Sequence, residues 1–294
     1  MKRIPVLIVI LAALAGFIAL VWPHAKVSAV EARPLVCYVG GTMTPVFNAL
    51  AAEYQKTTGR QVEISSADSG ELLAAIEMQL QGDLYVAHDP FMDIAMRRGL
   101  GVSAWRLGEL HPVLIVQKGN PKNIHNLRDL LRPDVRVYLT DYEHSTLGYI
   151  LPCLFKRAGV DFAELNRAKQ IPTHRSGSWV ANQIIMQAAD AAIVWQVVAR
   201  LRATKLDEIN LGPDVLPRPG IDAVTSATGR PYFVAPVRVG IISLACSKRT
   251  RETEAFVAFV RSEVGQRIFR EKDFDVTANY GKAEYINGVK QSEK

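Results

Sequence analysis

Beyond residue 33 the chain alternates short apolar runs with amphipathic stretches, and its hydrophobic spacing switches repeatedly between a strand period and a helix period. Leu35–Val39 predicts a strand, followed by a turn at Gly40-Gly41-Thr42-Met43. Thr44 is expected to cap a helix with Pro45 at its first position, where a missing N–H costs nothing. Val46, Phe47, Leu50, Ala51 and Tyr54 recur on one face of that helix, and Gly59 ends it. Val62–Ser65 predicts a second strand. Asp68 and Glu71 then have capping-box spacing for a helix whose buried face carries Leu72, Leu73, Ile76 and Leu80. Leu84–Ala87 predicts a third strand and Pro90–Arg98 a short helix, so this first unit reads as three βα repeats.

A second alternating set starts with the apolar strand Val113–Gln117 and continues through a strand at Arg136–Thr140, helices near Leu147–Ala158 and Ser178–Ala189, and a strand at Ala192–Trp195. Gly212–Pro231 is rich in proline and glycine and reads as loop. Val237–Cys246 is another apolar strand, and two helices follow, at about Glu252–Ser262 and Val264–Lys272. Residues after Gly281 are polar and are expected to fray.

The order of elements is that of an α/β protein built on parallel sheet. Two open α/β units joined by long strands leave a cleft between them, and such sheets bind ligands at the carboxyl ends of their strands. Several of those ends lead into helix N-termini with small or hydroxyl residues, whose free N–H groups and partial positive charge suit an anion.

Composition narrows the function classes. The formal net charge is +6, but Lys2, Arg3 and Lys26 lie in an apolar leader, and the remaining excess is too mild and dispersed for a nucleic-acid partner. Residues 1–29 read as an export signal: a basic start, an uncharged run from Ile4 to Trp22, then Val27-Ser28-Ala29. The run nearly matches the ~20 residues that span a bilayer, so cleavage and a retained anchor through residues 4–22 both stay open. Either places the rest of the chain outside the cytoplasm, periplasmic or extracellular. Cys37, Cys153 and Cys246 are too far apart for a disulfide scaffold or a zinc ribbon, and their apolar surroundings mark them as core residues. The six histidines show no metal-site spacing; His88 with Asp89 and Asp93 is read as the start of a helix. No nucleophile elbow or Walker loop is present.

Five stretches carry a family resemblance. They are Val39-Gly40-Gly41-Thr42-Met43-Thr44, Tyr54-Gln55-Lys56-Thr57-Thr58-Gly59, Ala67-Asp68-Ser69-Gly70-Glu71-Leu72, Gly82-Asp83-Leu84-Tyr85-Val86-Ala87-His88-Asp89 with Met92-Asp93-Ile94-Ala95 in register, and the closing helix pair from Phe256 to Phe274. In this order and spacing the chain resembles the exported molybdate-binding proteins of ABC transporters, whose own version of the fourth stretch reads A-D-L-F-I-S-A-D. The resemblance implies a two-lobed type II periplasmic-binding-protein fold, each lobe a mainly parallel sheet flanked by helices and joined to the other by hinge strands. Residues 30–113 and 236–294 would form lobe 1, and residues 114–235 lobe 2.

The same resemblance implies a non-enzymatic binding protein, with no cofactor, that holds molybdate or tungstate and passes it to the membrane subunits of a transporter. A monomer is expected. Oxyanion contacts carried over residue by residue fall on Thr42 and Ser69 from lobe 1, on the backbone at Leu147, on a backbone N–H near Ser178 or Trp179, and on Trp195. Any metal would be held only as its oxyanion, through Thr42 and Ser69. Trp195 stands where the family has a tyrosine, and its indole can donate but not accept. Asp68 stands where a small neutral residue is usual. It either caps its helix or accepts the proton of a protonated oxyanion such as hydrogen phosphate. His174 and Arg175 are candidates for positive charge at the cleft mouth. Two further classes remain: a membrane-anchored oxyanion sensor, and an enzyme on the same fold.

Overall fold

The computed structural model describes residues 33–218, 221–225, 231–233 and 237–291; the leader and its two alternatives lie outside the described residues. The elements in chain order are β1 (Leu35–Gly40), α1 (Thr44–Thr58), β2 (Val62–Ala67), α2 (Ser69–Gln79), β3 (Leu84–His88), α3 (Phe91–Arg97), β4 (Gly101–Leu110), β5 (Pro112–Gln117), β6 (Val137–Thr140), α4 (Thr146–Arg157), α5 (Phe162–Lys169), β7 (Thr173–His174), α6 (Gly177–Ile185), β8 (Ala191–Trp195), α7 (Gln196–Arg200), β9 (Leu206–Ile209), β10 (Ala223–Thr225), β11 (Pro231–Phe233), β12 (Val237–Leu244), α8 (Thr250–Arg261), α9 (Glu263–Glu271), β13 (Ala283–Ile286) and β14 (Val289–Lys290).

Two large sheets carry two lobes. The first runs β14-β13-β4-β12-β3-β1-β2 and the second β7-β6-β8-β5-β9, with β10 and β11 forming a separate hairpin pair. Both are mixed. β1 is parallel to β2 and β3, and β6 to β7 and β8, which is the βα part foreseen from the alternation. The antiparallel pairings come from β4, β12 and β13 in one sheet and from β5 and β9 in the other. The chain passes from the first sheet to the second at His111, between β4 and β5.

The alternation of side chains across β3 shows why the first sheet needs helices on both faces. Leu84 and Val86 enter the core with Phe47, Leu50 and Phe256, while Tyr85 and Ala87 pack with Leu72, Ile76 and Met92. Phe47 meets Phe269 edge-on at 6.0 Å and Tyr54 meets Phe256 at 5.0 Å, so α8 and α9 dock on α1. In the second sheet every residue of β8 is buried, as expected for a central strand covered on both sides.

Several expectations are corrected. Met43, not Thr44, precedes the first helix as N-cap and supplies no side-chain bond, because the turn before it is a short 3₁₀ segment, Gly41–Met43. Thr44 Oγ1 instead pairs with Ser66 Oγ at 2.6 Å. Leu80 is 60% exposed in a left-handed conformation, since α2 stops at Gln79. Asp68 caps α2 without a capping box, because Glu71 turns to Arg175. β4 escapes the pattern because Ser103, Arg106 and Glu109 interrupt its apolar positions.

Residues 282–291, expected to fray, are ordered against the first sheet. β13 adds to β4, Tyr285 is buried, and Glu284 enters a buried cluster of charges. Arg106 and Arg238 both bind Glu284, the latter at 2.9 Å. Arg238 also clamps Asp89 at 2.7 and 2.8 Å and reaches Asp93 at 3.1 Å. Glu284 faces arginines rather than water, which local hydropathy cannot register.

Arg238→Met would leave the buried carboxylates of Asp89 and Glu284 and the half-buried Asp93 short of counter-charge. A loss of about 3–5 kcal/mol in unfolding free energy is expected, read from the urea midpoint. Truncation after Gly281, which would cost nothing for a frayed tail, is expected to lower the same midpoint.

Candidate functional site

The cleft between the lobes is built from strand ends and helix starts. On the first lobe, the end of β1 turns through Gly41 and Thr42, β2 runs into α2 at Asp68 and Ser69, and β3 ends at His88. On the second, β6 ends at Thr140, α4 starts at Thr146 and Leu147, α6 starts at Gly177 and Ser178, and β8 ends at Trp195. These residues line one cavity of about 700 Å³.

Side chains cap each helix start and thereby select which N–H groups remain. Asp68 Oδ1 accepts from Gly70 N at 2.9 Å, Ser145 Oγ from Gly148 N at 3.0 Å and Ser176 Oγ from Trp179 N at 3.3 Å. The N–H groups at the very start of α2, α4 and α6 have no partner within their own helices. They point the positive ends of three helix dipoles toward the cavity.

Two hydroxyls stand out on opposite walls. Ser69 Oγ and Thr140 Oγ1 are buried and have no hydrogen-bond partner among the described residues. Tyr85 holds Ser69 in place by donating to its carbonyl at 2.6 Å. Gly40 is required beside it, because a Cβ there would sit 2.3 Å from Ser69 Oγ. A buried hydroxyl left unpaired costs about 1–3 kcal/mol, so these two are poised for a group that is not part of the chain.

The charged residues are partly spent on each other. Arg175 bridges the lobes to Glu71 at 3.3 Å and lies 4.0 Å from Asp141. Partial burial works against ionisation of Asp141, but N–H bonds from Glu143 and His144 and the His144 ring hold its carboxyl below the usual range. A second link between lobes runs from Thr146 Oγ1 to the Asp89 carbonyl at 3.1 Å. Behind the cleft, buried Gln196 ties the crossing together, accepting from His111 N at 2.7 Å and donating to the Glu109 carbonyl at 3.1 Å.

Of the residues singled out from the sequence, Thr42, Asp68, Ser69, Leu147, Ser178 and Trp195 all line this cavity. Trp179 does not. Its N–H is taken by Ser176, and its indole stacks on His174 at 4.4 Å with an edge toward Tyr138. Asp68 does cap its helix, and it also faces the cavity. Thr140 and His88 are among the lining residues that were not foreseen. Nothing in its local pattern marks Thr140. His88 had a signal: it stands where the run A-D-L-F-I-S-A-D has a small alanine. The thiols are poor nucleophiles: burial and then Asp83 push Cys37 far up, and burial raises Cys153 and Cys246.

Two lobes on mixed sheets, with a cleft at the strand ends where helix N-termini converge, define the type II solute-binding class. Residues 35–275 match the family described as bacterial extracellular solute-binding protein, and the chain belongs to it. It is 23% identical over 256 residues to the molybdate-binding protein ModA of Mycobacterium bovis, covering 83% of this chain and 85% of that one. It is also similar to the periplasmic molybdate-binding protein of Azotobacter vinelandii, with a TM-score of 0.62, 15% identity and coverage of 83% and 99% of the two chains. L-phospholactate-bound PEB3, a Campylobacter jejuni protein, gives a TM-score of 0.63 at 17% identity, covering 83% of this chain and all of that one.

Because neither cleft hydroxyl has a partner, Ser69→Ala and Thr140→Val are expected to leave the ligand-free protein equally or more stable. Ser145→Ala removes the cap of α4 and a bond to the Asp141 carbonyl, and is expected to cost about 1–2 kcal/mol. Urea denaturation of the three variants checks both.

Proposed function

We propose that the protein captures a small oxyanion between its lobes, outside the cytoplasm, and delivers it as a monomer to the membrane subunits of an ABC transporter. The lobes of this reading are residues 30–113 with 236–294, and 114–235. The observation that carries it is the pair of buried, unpartnered hydroxyls, Ser69 and Thr140, on facing walls. An anion touching both walls binds the closed arrangement better than an open one and so drives closure. Thr42, the first N–H groups of α4 and α6 around Leu147 and Ser178, and the Trp195 indole supply further donors. Molybdate is the first candidate, on the relatives' side, with tungstate as its chemical analogue. The protein binds rather than converts its ligand and needs no cofactor.

A second reading rests on size. The lobes already touch through Arg175–Glu71 and Thr146–Asp89, yet the cavity keeps about 700 Å³. That is the range of organic ligand pockets. An oxyanion carrying an organic substituent, such as a phosphorylated hydroxy acid, would use the same donors and fill the remainder.

Calorimetric titration with molybdate, tungstate, sulfate, phosphate and a small phosphate ester tests both readings. Binding of at least one is expected. Thr42→Ala with Ser69→Ala is expected to weaken it by roughly tenfold or more per hydroxyl, since bonds to charged groups contribute about 1.5–3 kcal/mol each. Unchanged affinity in the double variant would remove the site assignment.

A further inference from the structure

We propose that His88 is a specificity-determining residue of the cleft: its Nε2 accepts a hydrogen bond from an acidic hydroxyl on the bound anion, so that the site tells a protonated oxyanion from a fully ionised one. The proposal rests on the anion-binding reading above and adds which protonation state of the ligand is preferred.

The geometry around the ring sets its tautomer. His88 Nδ1 lies 2.9 Å from the Asp89 carbonyl oxygen, which can only accept, so the proton of the neutral imidazole sits on Nδ1. Nε2 is left as a bare acceptor. It has no partner among the described residues, and the ring lines the cavity at the end of β3, beside the Asp89 carbonyl that also receives Thr146 Oγ1 from the other lobe. Phe91 packs against the ring at 5.8 Å and Trp195 at 6.3 Å, so its nearest neighbours from α3 and β8 are uncharged. The charged groups that face it are Asp68, from the start of α2, and Asp89, whose carboxylate is itself engaged by Arg238. Glu71, Asp141, His174 and Arg175 complete the charged lining of the cavity.

Burial among these aromatic rings disfavours the imidazolium more than the Asp89 carbonyl and the two carboxylates favour it. The ring is therefore neutral at pH 7. In that state the wall of the first lobe offers a donor at Ser69 and acceptors at His88 and Asp68. A dianion without a proton, such as molybdate or sulfate, meets the Nε2 lone pair unfavourably. Hydrogen phosphate, or a phosphate or carboxylate with a neighbouring acidic hydroxyl, meets it with a hydrogen bond. Protonation reverses the preference, because Nε2 then carries a hydrogen and becomes a charged donor.

The test compares inorganic phosphate, which carries a proton at pH 7, with molybdate and sulfate, which do not, on the purified protein and two variants between pH 5 and pH 8. For the native protein the ratio of phosphate to sulfate affinity, with the change in phosphate's own ionisation over this range corrected for, is expected to fall as the pH drops below the usual histidine range near 6.5. His88→Phe keeps the ring packing and removes the acceptor. It is expected to lose tenfold or more in phosphate affinity, to hold or gain affinity for molybdate and sulfate, and to abolish the pH dependence of the ratio. His88→Gln can donate to the Asp89 carbonyl through its amide nitrogen and accept through its amide oxygen, so it is expected to restore preference for phosphate without the pH dependence. Ligand-free stability gives a separate reading. A histidine whose folded pKa is lowered contributes stability that is complete above pH 6.5 and declines as the pH falls, because the unfolded chain takes the proton first; both variants are expected to flatten that decline. If phosphate, molybdate and sulfate affinities all fall by the same factor in His88→Phe, His88 merely supports the fold and the proposal is overturned while anion binding stands. If the native protein binds none of the three anions, both fall.

Discussion

The site depends on how Asp89 is held. Its carboxylate is clamped by Arg238 and its N–H by the Arg238 carbonyl, so the end of β3 cannot shift relative to β12. The same arginine reaches Asp93 and Glu284, which ties the turn after β3 to the last strands of the chain. With its backbone immobilised, the Asp89 carbonyl can serve two purposes in the cleft: it fixes the tautomer of His88 and takes the Thr146 hydroxyl from the opposite lobe. A buried ion cluster is a doubtful source of net stability, since desolvation offsets most of the attraction. Its value here is positional.

The cleft follows the logic of a binding site that is incomplete by itself. Helix caps satisfy part of each N-terminus and leave the first N–H groups open, and two hydroxyls are buried without partners. These unsatisfied groups lie on both lobes, so a ligand that satisfies them stabilises their approach. Across the cleft rim the lobes meet through an exposed ion pair of small energetic weight and a hydroxyl-to-carbonyl bond, while nearer the crossing Arg200 pairs with Asp275 at 2.7 Å. Such contacts can be broken and remade, whereas the crossing at His111 is bound tightly by buried Gln196. Rigid crossing and weak rim together suit hinge motion.

Electrostatically the cleft is not a plain cationic trap. Three carboxylates, Asp68, Glu71 and Asp141, line it beside a single arginine that is already paired. In the proposed function, attraction for an anion would therefore come from oriented N–H groups and hydroxyls rather than from net charge. Directional neutral donors discriminate between anions by geometry and protonation, which bulk charge does not.

Much of this was legible in the chain. The apolar runs of β1, β3, β5, β8 and β12 and the faces of α1 and α2 follow from period alone, because burial on one face imposes that period wherever the element lies. Helix starts with hydroxyl or small residues leave local signatures, but Thr42, Ser69, Leu147 and Ser178 were singled out only through the family resemblance. Other features were not visible. β4 and β13 carry charged residues that only partners distant in sequence make buriable, with Arg106 and Glu284 separated by 178 positions. Thr140 and His88 become site residues only when two sheets face each other, and Trp179 leaves the cleft only because Ser176 and His174 occupy it. The sequence by itself determined the apolar strands, the amphipathic helices and the helix starts where an anion could be received. Tertiary structure decided which polar groups are paired and which remain open, because hydrogen bonding between lobes depends on distances that no local pattern encodes.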